Sequence, residues 1–528
     1  MIEWWKKRVV YQIYPRSFMD SNGDSIGDIQ GIISKLDVLH ELGVGILWLS
    51  PVYCSPNEDN GYDISDYRNI NPEYGTLADM DELIAEASKR DIKIVMDLVV
   101  NHTSSQHEWF KKSCQGVEPY KDYYIWRKKP NNWTSFFGGK AWQYVESRGE
   151  YYLHLFAKGQ PDLNYDNPAV IEEVKGIMRF WLDRGISGFR CDVINILHKT
   201  TLRNGRPRIA LVGREHYLSQ PGTHRILKEL RKDVLSKYDC FTVGESVMVT
   251  PKDAKQLCNG ELDMVFSFEH MNADCFFIKW LLRKFSPIRL YKSLAKWEKK
   301  VKWNTIYLEN HDQPRSVSRF GDEKNYPIES AKALAVLLLT LKGTPFIFEG
   351  EELGMTNFDM TSMDQLNDVE SKNVYSLARK LRLSENYCHK MIWQKSRDNA
   401  RTPMQWSAQK HGGFTTGTPW LKVNDNHTTI NFDCEHDDPN SVWSFYKELI
   451  ALRNSTPALQ YGTFKVSFMT KNVFAYERAF EGKKIGVIVN LSNKKQRVPC
   501  VGYTIMSNYG RTQLDCELEP YEAAVLRR

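Results

Sequence analysis

Eight short apolar, β-rich runs recur along this chain, each separated from the next by segments with helical periodicity, and that alternation limits the folds open to it. The runs are "VVYQIYP" (9–15), "GILWLSP" (45–51), "KIVMDLVV" (93–100), "GFRCDVI" (188–194), "CFTVGES" (240–246), "MVFSFE" (264–269), "NTIYLENHD" (304–312) and "PFIFEGEEL" (345–353). Between them, "LADMDELIAEASKR" (77–90) has apolar residues at 77, 80, 83, 84 and 87, one face of a helix. "NPAVIEEVKGIMRFWLDRG" (167–185) opens on Asn-Pro and closes on glycine, as helix start and stop signals do. Strands that are apolar throughout and alternate with helices call for a parallel sheet covered by helices. Eight units predict a closed (β/α)8 TIM barrel, with an open doubly wound sheet as the alternative.

The polar residues within the runs favour the barrel. In "GISGFRCDVINIL" (185–197), Arg190 and Asp192 lie two apart in a strand and so share a face. A buried ion pair seldom improves on apolar packing, so the pair calls for a chemical reason. Several runs carry a carboxylate near their C-terminal ends, Asp97, Asp192, Glu245, Asp312 and Glu349 among them. Barrel active sites lie at that face.

A chain of 528 residues divides naturally into two or three domains. Residues 1–101 read as the first part of the barrel and 102–173 as an inserted lid after the third strand, far longer than an ordinary βα loop. Residues 174–459 read as the rest of the barrel, with a second insertion at 355–420. Short alternating strands in 460–528 predict a C-terminal antiparallel β-sandwich. The lid segment "DYYIWRKKPNNWTSFFGGKAWQYV" (122–145) is dense in aromatics among polar and glycine residues, which suits a groove for flat ligands. The net charge of +6 is small and scattered, giving no footprint for nucleic acid. No stretch has the length of a signal peptide or a membrane span. Ten cysteines without a CxxC pair fit free thiols in a reducing cytoplasm, and the chain is expected to act there as a monomer.

Four blocks, "DLVVNHTS" (97–104), "GFRCDVIN" (188–195), "VGES" (243–246) and "LENHDQPR" (308–315), resemble in order those of the α-amylase-type glycoside hydrolases. "QPDLN" (160–164) resembles a fifth block in the form typical of the oligo-1,6-glucosidase branch. The resemblance covers essentially the whole chain. It implies Asp192 as nucleophile, Glu245 as acid/base and Asp312 as a third carboxylate that binds sugar hydroxyls. Retaining chemistry needs the first two about 5–5.5 Å apart, a spacing that adjacent strand ends can supply. Arg190 is expected to keep Asp192 ionised, and a drier site to keep the proton on Glu245.

The resemblance also implies that His102 and His311 hydrogen-bond the terminal sugar. "NEDNGYDISDY" (57–67) then supplies Tyr62 as a stacking platform and Asp63 as a pocket-closing acid. Arg401, in "RTPMQW", is the expected partner of Asp63, against simple loop ordering as the alternative. Phe156 either lines the pocket or only packs. Val193, after the nucleophile, matches relatives that prefer α-1,6 links. The implied activity is a retaining exo-acting α-glucosidase on isomaltose and short isomalto-oligosaccharides, taken from the non-reducing end, with no organic cofactor.

"DSNGDSIGD" (20–28) offers oxygen donors at Asp20, Asn22, Asp24, the Ile26 carbonyl and Asp28, spaced like the start of an EF-hand loop. Ser25 and Gly31 depart from that pattern, which argues against a helix–loop–helix sensor. The family resemblance implies a structural Ca2+ there; Mg2+ and a solvated turn are the alternatives. Two other features leave the substrate open. Glu349 stands where such relatives often carry Gln and is expected close to the barrel mouth. Arg203, Arg206, Arg208 and Arg214 follow strand four and would suit a trehalose-6-phosphate hydrolase. An α-1,4-glucosidase or sucrase shares the scaffold. Sucrose isomerases carry an Arg-rich stretch that "SVSRFGDEKN" (316–325) lacks, and non-catalytic transporter-subunit relatives lack the three acids.

Overall fold

The computed structural model describes residues 3–276, 278–499 and 502–527. All eight runs are strands: β1 (Val10–Ile13), β2 (Ile46–Leu49), β3 (Lys93–Leu98), β4 (Gly188–Cys191), β5 (Phe241–Glu245), β6 (Met264–Phe266), β7 (Asn304–Ile306) and β8 (Gly343–Phe348). They make up the eight-stranded parallel sheet of a (β/α)8 barrel. The chain forms two compact units: Met1–Leu47 with Ala87–Ile92 and Phe268–Arg528, and Trp48–Glu86 with Lys93–Ser267.

In the second unit β3, β4, β5 and β6 pair in sequence order, all parallel. Asp97 is level with Arg190, and Arg190 with Val243. Cys191 is level with Gly244, so the next residues along, Asp192 and Glu245, come side by side where the two strands end. Gly188 starts β4 at φ 148°, and a Cβ there would lie 2.0 Å from the Phe241 carbonyl oxygen. Only glycine permits that approach.

The lid holds the helix Glu108–Cys114 and a three-stranded antiparallel sheet with Glu150–Leu153 between Trp126–Arg127 and Trp142–Val145. Trp133, Trp142, Leu155 and Tyr217 fill its core. The expected lid boundary at 173 falls inside helix α1 (Pro168–Asp183) and needs correction. The Asn167 side chain caps that helix by accepting from Ala169 N, so the lid ends before 167.

In the first unit β1 pairs with β8, and β8 with β7. First strand beside last is the closure that a barrel requires. The 355–420 insertion carries three helices, Val369–Lys380, Glu385–Lys395 and Asp398–Arg401, and its own core includes Phe358, Met391 and Ile392. The C-terminal strands β9 (Thr463–Met469), β10 (Val473–Phe480), β11 (Lys483–Asn490), β12 (Gly502–Ser507), β13 (Gln513–Leu514) and β14 (Ala523–Arg527) form a sheet in the order β9-β10-β11-β14-β12-β13. A second ladder pairs Gln496–Arg497 with Glu517–Leu518. Among the described residues nine cysteines are free, and no helix is long and apolar enough to cross a membrane.

Candidate active site

Arg190 organises the acids of the second unit. Its Nη1 donates to Asp192 Oδ1 at 2.7 Å and also to Asp97, while Nη2 donates to Glu245. The guanidinium lies 5.3 Å from the Trp48 ring centre and 5.6 Å from that of Tyr62. Trp48 Nε1 and the Tyr62 hydroxyl donate to the second oxygen of Asp97, at 3.0 and 3.3 Å. Three carboxylates thus share one buried cation, with the strand register bringing Asp192 and Glu245 together.

Burial pushes the Asp192 pKa well above the ordinary range; Arg190 opposes this, and Glu245 and Asp97 reinforce it. Arg190 lowers the Asp192 pKa as expected of a neighbouring cation, but burial has the larger effect. In the free protein burial and two neighbouring acids outweigh one cation, so Arg190 lowers the Asp192 pKa without returning it to the ordinary range. Burial also raises Asp97 to about 6, although Arg190 and Trp48 oppose it.

Around this cluster, His102 is fully buried and its pKa falls to about 4, so the ring is neutral at pH 7. Its Nε2 faces the Tyr62 carbonyl at 3.0 Å and Gln160 Nε2 at 3.2 Å. Phe156 stacks on Phe136 at 5.0 Å and meets His102 at 5.1 Å, so it both packs in the lid and borders the histidine. Asp63 accepts from the Ser55 hydroxyl and from the backbone N–H of Glu58 and Asp59. That is the loop-ordering role, and burial raises Asp63 to about 6. Val193 adopts φ 35° and ψ 39°, a left-handed conformation that costs a non-glycine residue roughly 1–2 kcal/mol. The turn buries its side chain in the lid core with Trp133 and Tyr217. Arg203, Arg206 and Arg208 are exposed, and Arg214 contacts Met248 Sδ.

The first unit carries the other expected residues. Arg401 is buried, and its Nη2 donates to Asp312 Oδ1 at 2.7 Å while Nε donates to the His311 carbonyl. Arg397 reaches the same Asp312 oxygen at 3.4 Å. Burial alone would raise Asp312, but His311, Arg397, Arg401 and Lys279 outweigh it and hold the carboxyl well below the usual range. His311 Nδ1 meets Gln12 Nε2 at 2.7 Å, and its ring stacks on Tyr14 at 6.2 Å. Sequence reasoning missed Arg397, Gln12 and Tyr14. Arg397 stood four residues before Arg401 across a short helix, a spacing that could have flagged it.

Glu349 follows the C-terminal end of β8 and is fully buried; its Oε2 accepts from Tyr14 N at 2.8 Å, and burial pushes its pKa well above the ordinary range.

In the 20–28 loop, Asp20 accepts from the N–H groups of Asn22, Gly23 and Ser25, and from the Thr415 hydroxyl. Asn22 and Asp24 accept from the N–H two residues on, and Asp28 accepts from Ser21 and Gly31. Ser25 takes φ 91°, the left-handed turn that glycine supplies in an EF-hand loop. Among the described residues no three His, Cys, Asp or Glu side chains form a ready metal cluster. The donor set here adds an amide and a carbonyl to three carboxylates without a basic partner, and this hard, all-oxygen chemistry suits Ca2+.

Comparison with known proteins agrees with this geometry. The model of the alpha-amylase catalytic domain matches residues 12–462. An oligo-1,6-glucosidase of Parageobacillus thermoglucosidasius is 48% identical, covering 99% of both chains. A trehalose-6-phosphate hydrolase of Bacillus subtilis (strain 168) is 45% identical over 92% of this chain and 89% of that one. The solved isomaltulose synthase of Klebsiella sp. LX3 superposes with a TM-score of 0.95 at 40% identity, covering 99% of each chain. With its catalytic domain matched and its acids at the ends of neighbouring strands, the chain belongs to the alpha-amylase family of glycoside hydrolases.

Proposed function

We propose that this chain is a retaining, exo-acting α-glucosidase that cuts the α-1,6 bond of isomaltose and short isomalto-oligosaccharides from the non-reducing end. The observation that carries the reading is the Arg190 guanidinium shared by Asp192 and Glu245 from adjacent strands. A nucleophile and an acid/base held that close fit double displacement rather than inversion, which needs room for a water between them.

In the proposed cycle, Glu245 supplies the acid proton and Asp192 is the carboxylate bonded to Arg190. Asp192 attacks the anomeric carbon as Glu245 protonates the leaving oxygen. Glu245 then takes a proton from water, which opens the glucosyl–Asp192 ester and returns α-glucose. In the first unit Asp312, held ionised by its two arginines, and His311 are assigned to sugar hydroxyls, and in the second unit His102 is assigned to a sugar hydroxyl. Tyr62 and Phe156 are assigned to the sugar's apolar face.

The α-1,6 preference is supported by Val193 and by the oligo-1,6-glucosidase relative. A second reading, hydrolysis of trehalose 6-phosphate, is favoured by the exposed Arg203, Arg206 and Arg208 and by the Bacillus subtilis relative. Ca2+ is proposed at Asp20, Asn22, Asp24, Ile26 and Asp28, where it would neutralise three carboxylates and pin the loop after β1. The nine free thiols support a reducing compartment such as the cytoplasm. Rates on isomaltose, maltose, sucrose and trehalose 6-phosphate test the substrate. Isomaltose is expected to give the highest kcat/KM, and a highest value on trehalose 6-phosphate would select the second reading.

A further inference from the structure

Several buried polar atoms of the first unit have no hydrogen-bond partner among the described residues, and two of them lie beside each other: the Tyr14 hydroxyl and Arg401 Nη1. Tyr14 is 2% exposed and Arg401 0%. They are neighbours, since the Arg401 guanidinium lies 5.5 Å from the Tyr14 ring centre. The rest of Arg401 is spoken for, Nη2 by Asp312 and Nε by the His311 carbonyl. Tyr14 is held from several sides. Its N–H donates to Glu349 Oε2, its ring stacks on His311 at an interplanar angle of 12°, and Trp420 lies 6.4 Å away.

Leaving a buried hydroxyl unbonded is unfavourable, and native proteins avoid it unless a ligand or solvent completes the bond. Here the orphaned hydroxyl belongs to a ring locked in place beside Asp312 and His311. We propose that Tyr14 is a substrate-binding residue, its hydroxyl hydrogen-bonding a hydroxyl of the bound glucosyl unit alongside Arg401 Nη1. The inference rests on the α-glucosidase reading and adds to it a contact from the end of β1. Glu349, which carries no sugar contact in this scheme, acts as a positioning residue by fixing the Tyr14 backbone.

The test is Tyr14→Phe, which removes one oxygen and keeps the ring. On p-nitrophenyl α-D-glucoside, kcat/KM is expected to fall about tenfold, the usual scale for one lost hydrogen bond. The Tm is expected to stay level or rise, because an unbonded hydroxyl leaves the free protein. Activity within twofold of wild type overturns the assignment. So does a fall in Tm, which would mean the hydroxyl is already bonded within the free protein. Mono-deoxy versions of the same glucoside at positions 2, 3, 4 and 6 identify the partner: one of them is expected to be cleaved equally by wild type and variant. Four analogues that all retain the parent's tenfold ratio would overturn the direct contact. Wild-type protein inactive on every α-glucoside would instead sink the enzyme reading itself, an outcome distinct from an active wild type matched by an equally active variant.

Discussion

Replacing Arg190 by methionine keeps a flexible side chain in β4 and removes the guanidinium that Asp97, Asp192 and Glu245 share. Breaking one partner out of a buried ion pair costs about 3–5 kcal/mol, because the charge left behind has no compensation. The buried acids here escape part of that cost by taking up protons. Each one forced to do so is held neutral when folded and ionises freely when unfolded, so its folded pKa is raised. Its contribution to stability is complete below the unfolded pKa and is lost as pH rises through the folded value. At 1.36 kcal/mol per pH unit above an aspartate pKa near 3.9, one such group costs about 4 kcal/mol at pH 7 and about 1.5 kcal/mol at pH 5. Urea unfolding of Arg190→Met against wild type, followed by circular dichroism at both pH values, measures this. The expected loss of stability is about 4 kcal/mol at pH 7, falling by more than half at pH 5. A loss below about 1 kcal/mol at pH 7, or one equal at both pH values, would refute the idea that Arg190 is the cation that offsets the burial of these acids.

Glu349→Gln leaves Tyr14 N a carbonyl acceptor and removes a buried carboxyl whose pKa is raised by burial. With the same sign as above, wild-type stability should fall with pH above the ordinary glutamate value; the variant should lose part of that slope and show the higher Tm at pH 8, and equal slopes would exclude the effect. Val193→Ala should raise the ratio of maltose to isomaltose hydrolysis, whereas an unchanged ratio would free position 193 of any part in linkage choice. Chelation by EDTA should lower the Tm by several degrees, with Ca2+ restoring it in wild type and not in Asp24→Ala; a Tm indifferent to both would leave the 20–28 loop as a solvated turn.

The barrel was legible because its strands are apolar throughout, and each of the eight runs became a strand within a few residues of its reading. Asp192 and Glu245 were legible for a related reason. Both end strands that are neighbours in sequence order, and parallel register then makes them adjacent. Side-chain partnership was far less visible. Asp63 was read as a charge awaiting a distant arginine, and its own loop supplies three donors four to eight residues away. Glu349 lies in "FIFEGEEL" just past a strand end, which suggested a mouth. Only the fold shows that it is fully buried with Tyr14 N as its partner. The balance between Arg190 and burial at Asp192 was likewise hidden, since desolvation depends on everything packed around the pair. The lid boundary is different: the Asn-Pro cap at 167–168 was in plain view, and the proposed division overran it.

Double displacement at Asp192 is tested most directly by following p-nitrophenyl α-D-glucoside hydrolysis with proton NMR in the first minutes, before the released sugar equilibrates. The glucose freed should be α when it first appears, with β-glucose growing in only by mutarotation. β-Glucose as the first product would mean that water, and not Asp192, attacks the sugar.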